Sequence, residues 1–215
     1  MNIDTVLFDM GGTIEDIHFD RAPRLKALPG ILSILAGAGI VLPGDDHEIL
    51  DKLLARNAEY KAWSEKTRIE SPPETIWNEW NLKDFSVPAD KVDGIAENLA
   101  YVWETSFFTR KMRPDAVATL AALAGKGYRL GIISNTSSKT QVFRTLEEYG
   151  IADYFECVIL SSIEGVRKPN PAIFEAALRA MGSAASSTAY VGDTLSRDVI
   201  GSKRAGYALA FHIRS

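Results

Sequence analysis

From residue 112 onward, short β-branched runs alternate with stretches of helical periodicity, and few folds accept that rhythm. "YRLGIIS" (128–134), "CVIL" (157–160), "TAYV" (188–191) and "ALAFHI" (208–213) read as strands. Arg113-Pro114-Asp115 opens the first helix between them; Val117, Leu120 and Leu123 recur at helical spacing until Gly125 and Gly127 stop it. A second helix begins near Ser137 or Ser138, carries Val142, Leu146 and Tyr149 on one stripe, and ends at Gly150. A third is capped by Asn170, opened by Pro171, striped by Phe174, Ala177, Leu178 and Met181, and closed by Gly182. A fourth spans roughly 196–205 before Gly206. With "TVLF" (5–8) the chain supplies five strands and four helices, which predicts an α/β core built on a Rossmann-like, doubly wound parallel sheet.

Residues 15–111 break the rhythm. Leu25, Leu28, Leu32 and Leu35, then Leu50, Leu53, Leu54 and Tyr60, then Ile95, Leu99, Val102 and Trp103, each follow helical spacing with almost no strand pattern. The expectation is a core of residues 1–14 and 112–215, with 15–111 inserted as an α-helical cap domain.

Charge bounds the partners. The chain of 215 residues carries 24 Lys and Arg against 28 Asp and Glu, so it lacks the basic excess that tracks nucleic acid or an anionic membrane. The greasiest stretch, "GILSILAGAGIVLPG" (30–44), is too broken by glycine and proline to span a bilayer. Asp4 and Asp9 with no basic flank do not read as a secretory signal, and a cytoplasmic protein is expected, as a monomer or homodimer. The single cysteine, Cys157, lies in an apolar run and reads as a small buried hydrophobe.

In open α/β sheets ligands bind beyond the carboxyl ends of the strands. There the sequence places Asp9, Ser134-Asn135, the loop "EGVRKPNP" and Gly192-Asp193. A buried strand that ends on a carboxylate and continues through Gly11 and Gly12 suggests close approach of backbone to a charged ligand.

These residues, in this order, resemble the haloacid dehalogenase-like superfamily of hydrolases, in the branch with a helical cap after the first motif. The resemblance covers essentially the whole chain and rests on "FDMGGT" (8–13), "GIISNTS" (131–137), "RKPNPAIFEAAL" (167–178) and "YVGDTLSRDVIGSKRAG" (190–206). It implies a phosphohydrolase of a small phosphorylated metabolite, with Asp9 as the nucleophile that forms an aspartyl-phosphate. It implies Mg²⁺ held by the Asp9 carboxylate, the Gly11 carbonyl and Asp193, with Asp198 supporting the metal from behind. Gly12, Thr13, Ser134, Asn135 and Lys168 match the phosphate cradle, and Ser134 and Lys168 also the catalytic set.

One position departs from the pattern. Two residues after the nucleophile, phosphatases of this kind commonly carry a second aspartate that protonates the leaving oxygen; this chain has Gly11. Loss of such a group costs on the order of 10²–10⁴ in rate. Three responses stay open: a leaving group that needs little protonation, a substitute among Glu15, Asp16 and His18, or different chemistry. The last includes phosphonate cleavage through a cap lysine such as Lys52, Lys61 or Lys66, and a catalytically weakened binding protein. Trp63, Trp77, Trp80, Arg56, Arg68 and Lys61 are cap candidates for specificity by residue type.

Overall fold

The computed structural model describes residues 2–18 and 21–214. Its strands are β1 (Thr5–Phe8), β2 (Glu15–His18), β3 (Thr109–Met112), β4 (Arg129–Ser134), β5 (Phe155–Leu160), β6 (Thr188–Gly192) and β7 (Leu209–His212). Five form one sheet in the order β5-β4-β1-β6-β7, with every neighbouring pair parallel. The chain winds from β1 outward through β4 to β5, then returns to the other side of β1 for β6 and β7. The direction of winding therefore switches at β1, the place where such sheets open a crevice.

Alternation along β1 explains the two layers. Val6 and Phe8 pack with Leu130, Ile132, Leu120, Val142 and Leu146 on one face, while Leu7 packs with Ile133, Phe174, Ala177 and Tyr190 on the other. Helices Ala116–Gly125 and Gln141–Glu148 supply the first face, and Pro171–Met181 the second. This last helix begins and ends as its sequence predicts: the Asn170 side chain accepts from the Ala172 N–H, and Gly182 closes it with φ of 60°. The helix expected from Ser137 or Ser138 instead starts at Gln141, although the Ser138 hydroxyl does accept from the Gln141 N–H. The helix expected over 196–205 is a π-helical turn, Leu195–Val199, continued by Ile200–Arg204.

The chain divides into two compact units. One comprises the residues up to Ile17, Arg110–Asn135 and the chain from Val142 on; the other is His18–Thr109 together with Thr136–Gln141. The second unit is helical, with Arg21–Gly37, Asp46–Thr67 and Ala96–Ser106 as its long helices. Its core gathers Leu28, Ile31, Leu35, Leu50, Leu53, Trp77, Leu99 and Trp103. The short segment 136–141 joins this unit because Glu97 accepts hydrogen bonds from the Ser138 and Thr140 hydroxyls and from the Lys139 and Thr140 N–H groups. Trp77 is core, not surface, and Arg56 is engaged by Asp84 and Glu59.

β2 and β3 pair as a separate two-stranded sheet that the sequence pattern does not announce. They read "EDIH" and "TRKM", polar strings without clear alternation. An ion pair reinforces their hydrogen-bonded pairing. Glu15, fully buried, is paired with Arg110 and accepts a 3.0 Å hydrogen bond from the Tyr149 hydroxyl.

Candidate active site

Register sets the site before any side chain is considered. Phe8 stands level with Ile132 of β4 and with Val191 of β6. Asp9, one step further, is thus beside Gly192, and Ser134 and Asp193 come next on the flanking strands. The Asp9 N–H donates to the Val191 carbonyl at 2.9 Å, so β1 is still anchored where its carboxylate begins.

Lys168 arrives from the loop after β5. Its Nζ lies 2.7 Å from Asp9 Oδ1 and 2.8 Å from Asp198 Oδ1, and donates to the Tyr190 hydroxyl at 2.9 Å. Its backbone is held by Asn135, whose side-chain oxygen accepts from the Lys168 N–H at 2.9 Å and whose amide donates to the Lys168 carbonyl at 3.1 Å. Lys168, Asp9 and Asp198 are all buried. An ammonium in such a place is tolerable only with anionic partners, and here it has two.

Asp9, Asp193 and Asp198 each present an oxygen within 4.8 Å of the others. Asp198 is committed on both sides, to Lys168 through Oδ1 and to the Thr194 N–H through Oδ2 at 2.9 Å. Asp193 is only partly buried, steadied by the Thr194 hydroxyl at 3.1 Å. Three carboxylates against one ammonium leave an excess of negative charge. Burial, with the charges of Asp198 and Asp193, outweighs the downward pull of Lys168 and holds the Asp9 carboxyl up at about 7. Burial likewise drives the Tyr190 hydroxyl well above its usual range, helped by Asp198 and Asp9, so it stays protonated as a hydrogen-bonding post. All-oxygen donors with unbalanced negative charge are what a hard divalent cation requires, and the site fits one.

The loop after Asp9 is drawn tight on itself. Gly12 donates to the Glu15 carbonyl at 2.7 Å, Ile14 to the Met10 carbonyl at 2.9 Å, and Met10 to Asp9 Oδ1 at 2.8 Å. The Gly12 N–H is therefore spent inside the turn. What Gly12 contributes is space: its φ is +85°, and a Cβ there would fall 2.3 Å from Asp193 Oδ2. Gly11 differs. Its φ is not in the left-handed range, and a Cβ there would meet Ile17 Cδ1 at 2.3 Å. Thr13 is buried, and its hydroxyl has no hydrogen-bond partner among the described residues. Ser134 is buried at the end of β4.

Of the residues proposed as substitutes for the absent acid, Glu15 is locked under Arg110 and Tyr149. Asp16 lies 3.5 Å from Arg113, and His18 is exposed at the far end of β2. Sequence reasoning missed Tyr190, which reads as one more apolar strand residue in "TAYV", and missed Arg110 and Tyr149, which lie in no recognisable motif. Cys157 is half-buried, its Sγ 2.7 Å from where a Cβ on Gly131 would lie.

The acidic cluster sits at the switch point of a parallel α/β sheet, and the sequence supplies the class, a hydrolase. The family model for haloacid dehalogenase-like hydrolases matches residues 3–206, and the chain belongs to that family. A glyceraldehyde 3-phosphate phosphatase of Methanothermobacter thermautotrophicus is 29% identical over 205 residues, 95% of this chain and 83% of that one. A glyceraldehyde 3-phosphate phosphatase of Methanopyrus kandleri is 38% identical over 103 residues; the match spans 48% of this chain and less than half, 44%, of that protein. Among solved structures, a 2-haloacid dehalogenase from Pseudomonas syringae pv. Tomato DC3000 superposes with a TM-score of 0.62 at 25% identity, over 97% of this chain and 86% of that one. No helix among the described residues is long and apolar enough to cross a membrane.

Proposed function

We propose that this chain is a Mg²⁺-dependent phosphohydrolase of a small phosphorylated metabolite, working through a covalent phosphoryl-aspartate on Asp9. The observation that carries the reading is the convergence of Asp9, Asp193 and Asp198 at the switch point of the sheet, with Lys168 paired to Asp9 and Asp198. The phosphatase names of its relatives support it. A dehalogenase has no need of an acidic cluster beside its nucleophile, and this chain has one.

In this reading Asp9, Asp193 and the Gly11 carbonyl hold the cation, and Asp198 positions the set through Lys168 and Thr194. The bound cation supplies Lewis-acid charge neutralisation between an anionic nucleophile and an anionic substrate. The protein does the rest. An Asp9 oxygen attacks phosphorus, the P–O bond to the leaving group breaks, and its electron pair departs with the leaving oxygen. Water then attacks the aspartyl-phosphate; the bond to Asp9 breaks, leaving a free carboxylate and dihydrogen phosphate. Lys168 offers positive charge to the transferring oxygens, and the unpartnered Thr13 hydroxyl and Ser134 offer donors. Asn135 acts through Lys168, by fixing its backbone. The helical unit, His18–Thr109 with Thr136–Gln141, is read as a cap that sets specificity.

The test is phosphate release from a panel of phosphorylated metabolites that includes glyceraldehyde 3-phosphate, with Mg²⁺ present and with Asp9→Asn as control. Release that requires both Asp9 and Mg²⁺ supports the reading. No release from any compound, together with failure of beryllofluoride to form an adduct on Asp9, sinks it. Metal and phosphate binding without turnover would favour a weakened binding protein, the reading for which Gly11 speaks.

A further inference from the structure

Phosphoryl transfer to Asp9 expels an oxygen anion, and some group must protonate it unless it is stable as it leaves. The titratable side chains that face Asp9 in this unit are engaged, Asp193 being reserved in the proposed reading for the cation, and the Thr13 hydroxyl, without a partner among the described residues, is too weak an acid to serve. Lys168 is clamped between two carboxylates and Tyr190, and Tyr190 lies against Lys168, Asp198 and the Ile133 carbonyl. Glu15 is fully buried beneath Arg110 and Tyr149, and Asp16 faces Arg113.

Position 11 is the informative one. At Gly12 the backbone itself disfavours a side chain, with φ of +85°. At Gly11 it does not; the space is taken by a neighbour, since Ile17 Cδ1 sits 2.3 Å from where a Cβ would lie. A side chain two residues after the nucleophile would thus have to displace an apolar methyl, the movable end of the Ile17 side chain. It cannot carry a proton.

We infer that Gly11 and Ile17 restrict this enzyme to phosphates whose leaving group departs as a stable anion, acyl or aryl phosphates, against esters of aliphatic alcohols. The inference rests on the proposed phosphohydrolase reading and narrows its substrate class. In the first step Asp9 carboxylate and the substrate dianion give aspartyl-phosphate and a free carboxylate or aryloxide, with no proton moved. With an aliphatic ester the same step would have to release an alkoxide. The restriction also separates this chain from the triose phosphate for which its relatives are named.

The experiment compares kcat/KM of the wild-type enzyme with Mg²⁺ for acetyl phosphate, p-nitrophenyl phosphate and glycerol 3-phosphate. The first two should exceed the third by on the order of 10²–10⁴. The double variant Gly11→Asp/Ile17→Ala, in which the Ile17 methyl no longer blocks a side chain at position 11, should narrow that ratio by at least about tenfold, while Ile17→Ala alone should not. Glycerol 3-phosphate turned over within tenfold of p-nitrophenyl phosphate by the wild type would overturn the inference and leave the phosphohydrolase reading standing. An unchanged ratio in a double variant that still binds Mg²⁺ would overturn it equally. Hydrolysis of none of the three, with no adduct on Asp9, would instead remove the reading on which the inference rests.

Discussion

Lys168 Nζ and Asp9 Oδ1 lie 2.7 Å apart, although 159 positions separate them in the chain. The contact is buried on both sides and is shared with Asp198. Replacing Lys168 by methionine keeps the volume of the stem but strands two carboxylates without a counter-charge. Breaking one partner of a buried pair typically costs about 3–5 kcal/mol. Lys168→Met should lose that much in urea unfolding at neutral pH without Mg²⁺, and regain part of it when Mg²⁺ is added. A loss below about 1 kcal/mol would show that the ammonium is not what balances the cluster.

The acidity of Asp9 gives a pH dependence with a definite sign. Its carboxyl is held near 7, above its ordinary value of 3.8, so between those values the folded chain keeps a proton that the unfolded chain releases. That contribution favours the fold at low pH and is lost as pH rises through about 7. A divalent cation opposes the loss by replacing the proton. Mg²⁺ should therefore raise the melting temperature more at pH 8 than at pH 5.5, and Mg²⁺ binding near pH 7 should release protons in calorimetry run in two buffers. A Mg²⁺ effect independent of pH across that range would count against Asp9 as a ligand.

Gly12 makes a paired prediction with Gly39. Both have positive φ, +85° and +70°, so alanine at either pays a left-handed strain of about 1–2 kcal/mol. Only at position 12 does the new Cβ meet a carboxylate, Asp193 Oδ2 at 2.3 Å; at position 39 its nearest neighbour is Lys91 Nζ at 3.6 Å. Gly12→Ala should weaken Mg²⁺ binding at least tenfold, and Gly39→Ala should leave it unchanged, as titrated by calorimetry. Equal effects would mean that Gly12 serves the turn alone.

The strands and the positions at their tips were legible because a parallel sheet buried on both faces needs continuous apolar runs, and such runs stand out. "TVLF" is β1 residue for residue, and the Asn170-capped helix ends where Gly182 says it must. β2 and β3 were not legible, because their hydrogen-bonded pair is reinforced by a buried Glu15–Arg110 ion pair, and charged residues in a strand leave no hydrophobic period to detect. Tyr190 was hidden for the opposite reason. It keeps the apolar character of its strand while its hydroxyl reaches Lys168, and a sequence pattern cannot show which end of an amphipathic side chain is in use. Ile17 as the occupant of the space beside Gly11 follows only from coordinates, since six positions separate the two residues across a turn.

The phosphoryl-aspartate is a bond to one oxygen of one side chain. Acid quenching of the enzyme during turnover of acetyl phosphate with Mg²⁺, followed by proteolysis and mass spectrometry, reads it directly. One phosphoryl group should appear on the peptide that contains Asp9, absent without Mg²⁺ and absent in Asp9→Asn. Turnover with no phosphoryl group on that peptide, or undiminished turnover in Asp9→Asn, would contradict the phosphoryl-aspartate.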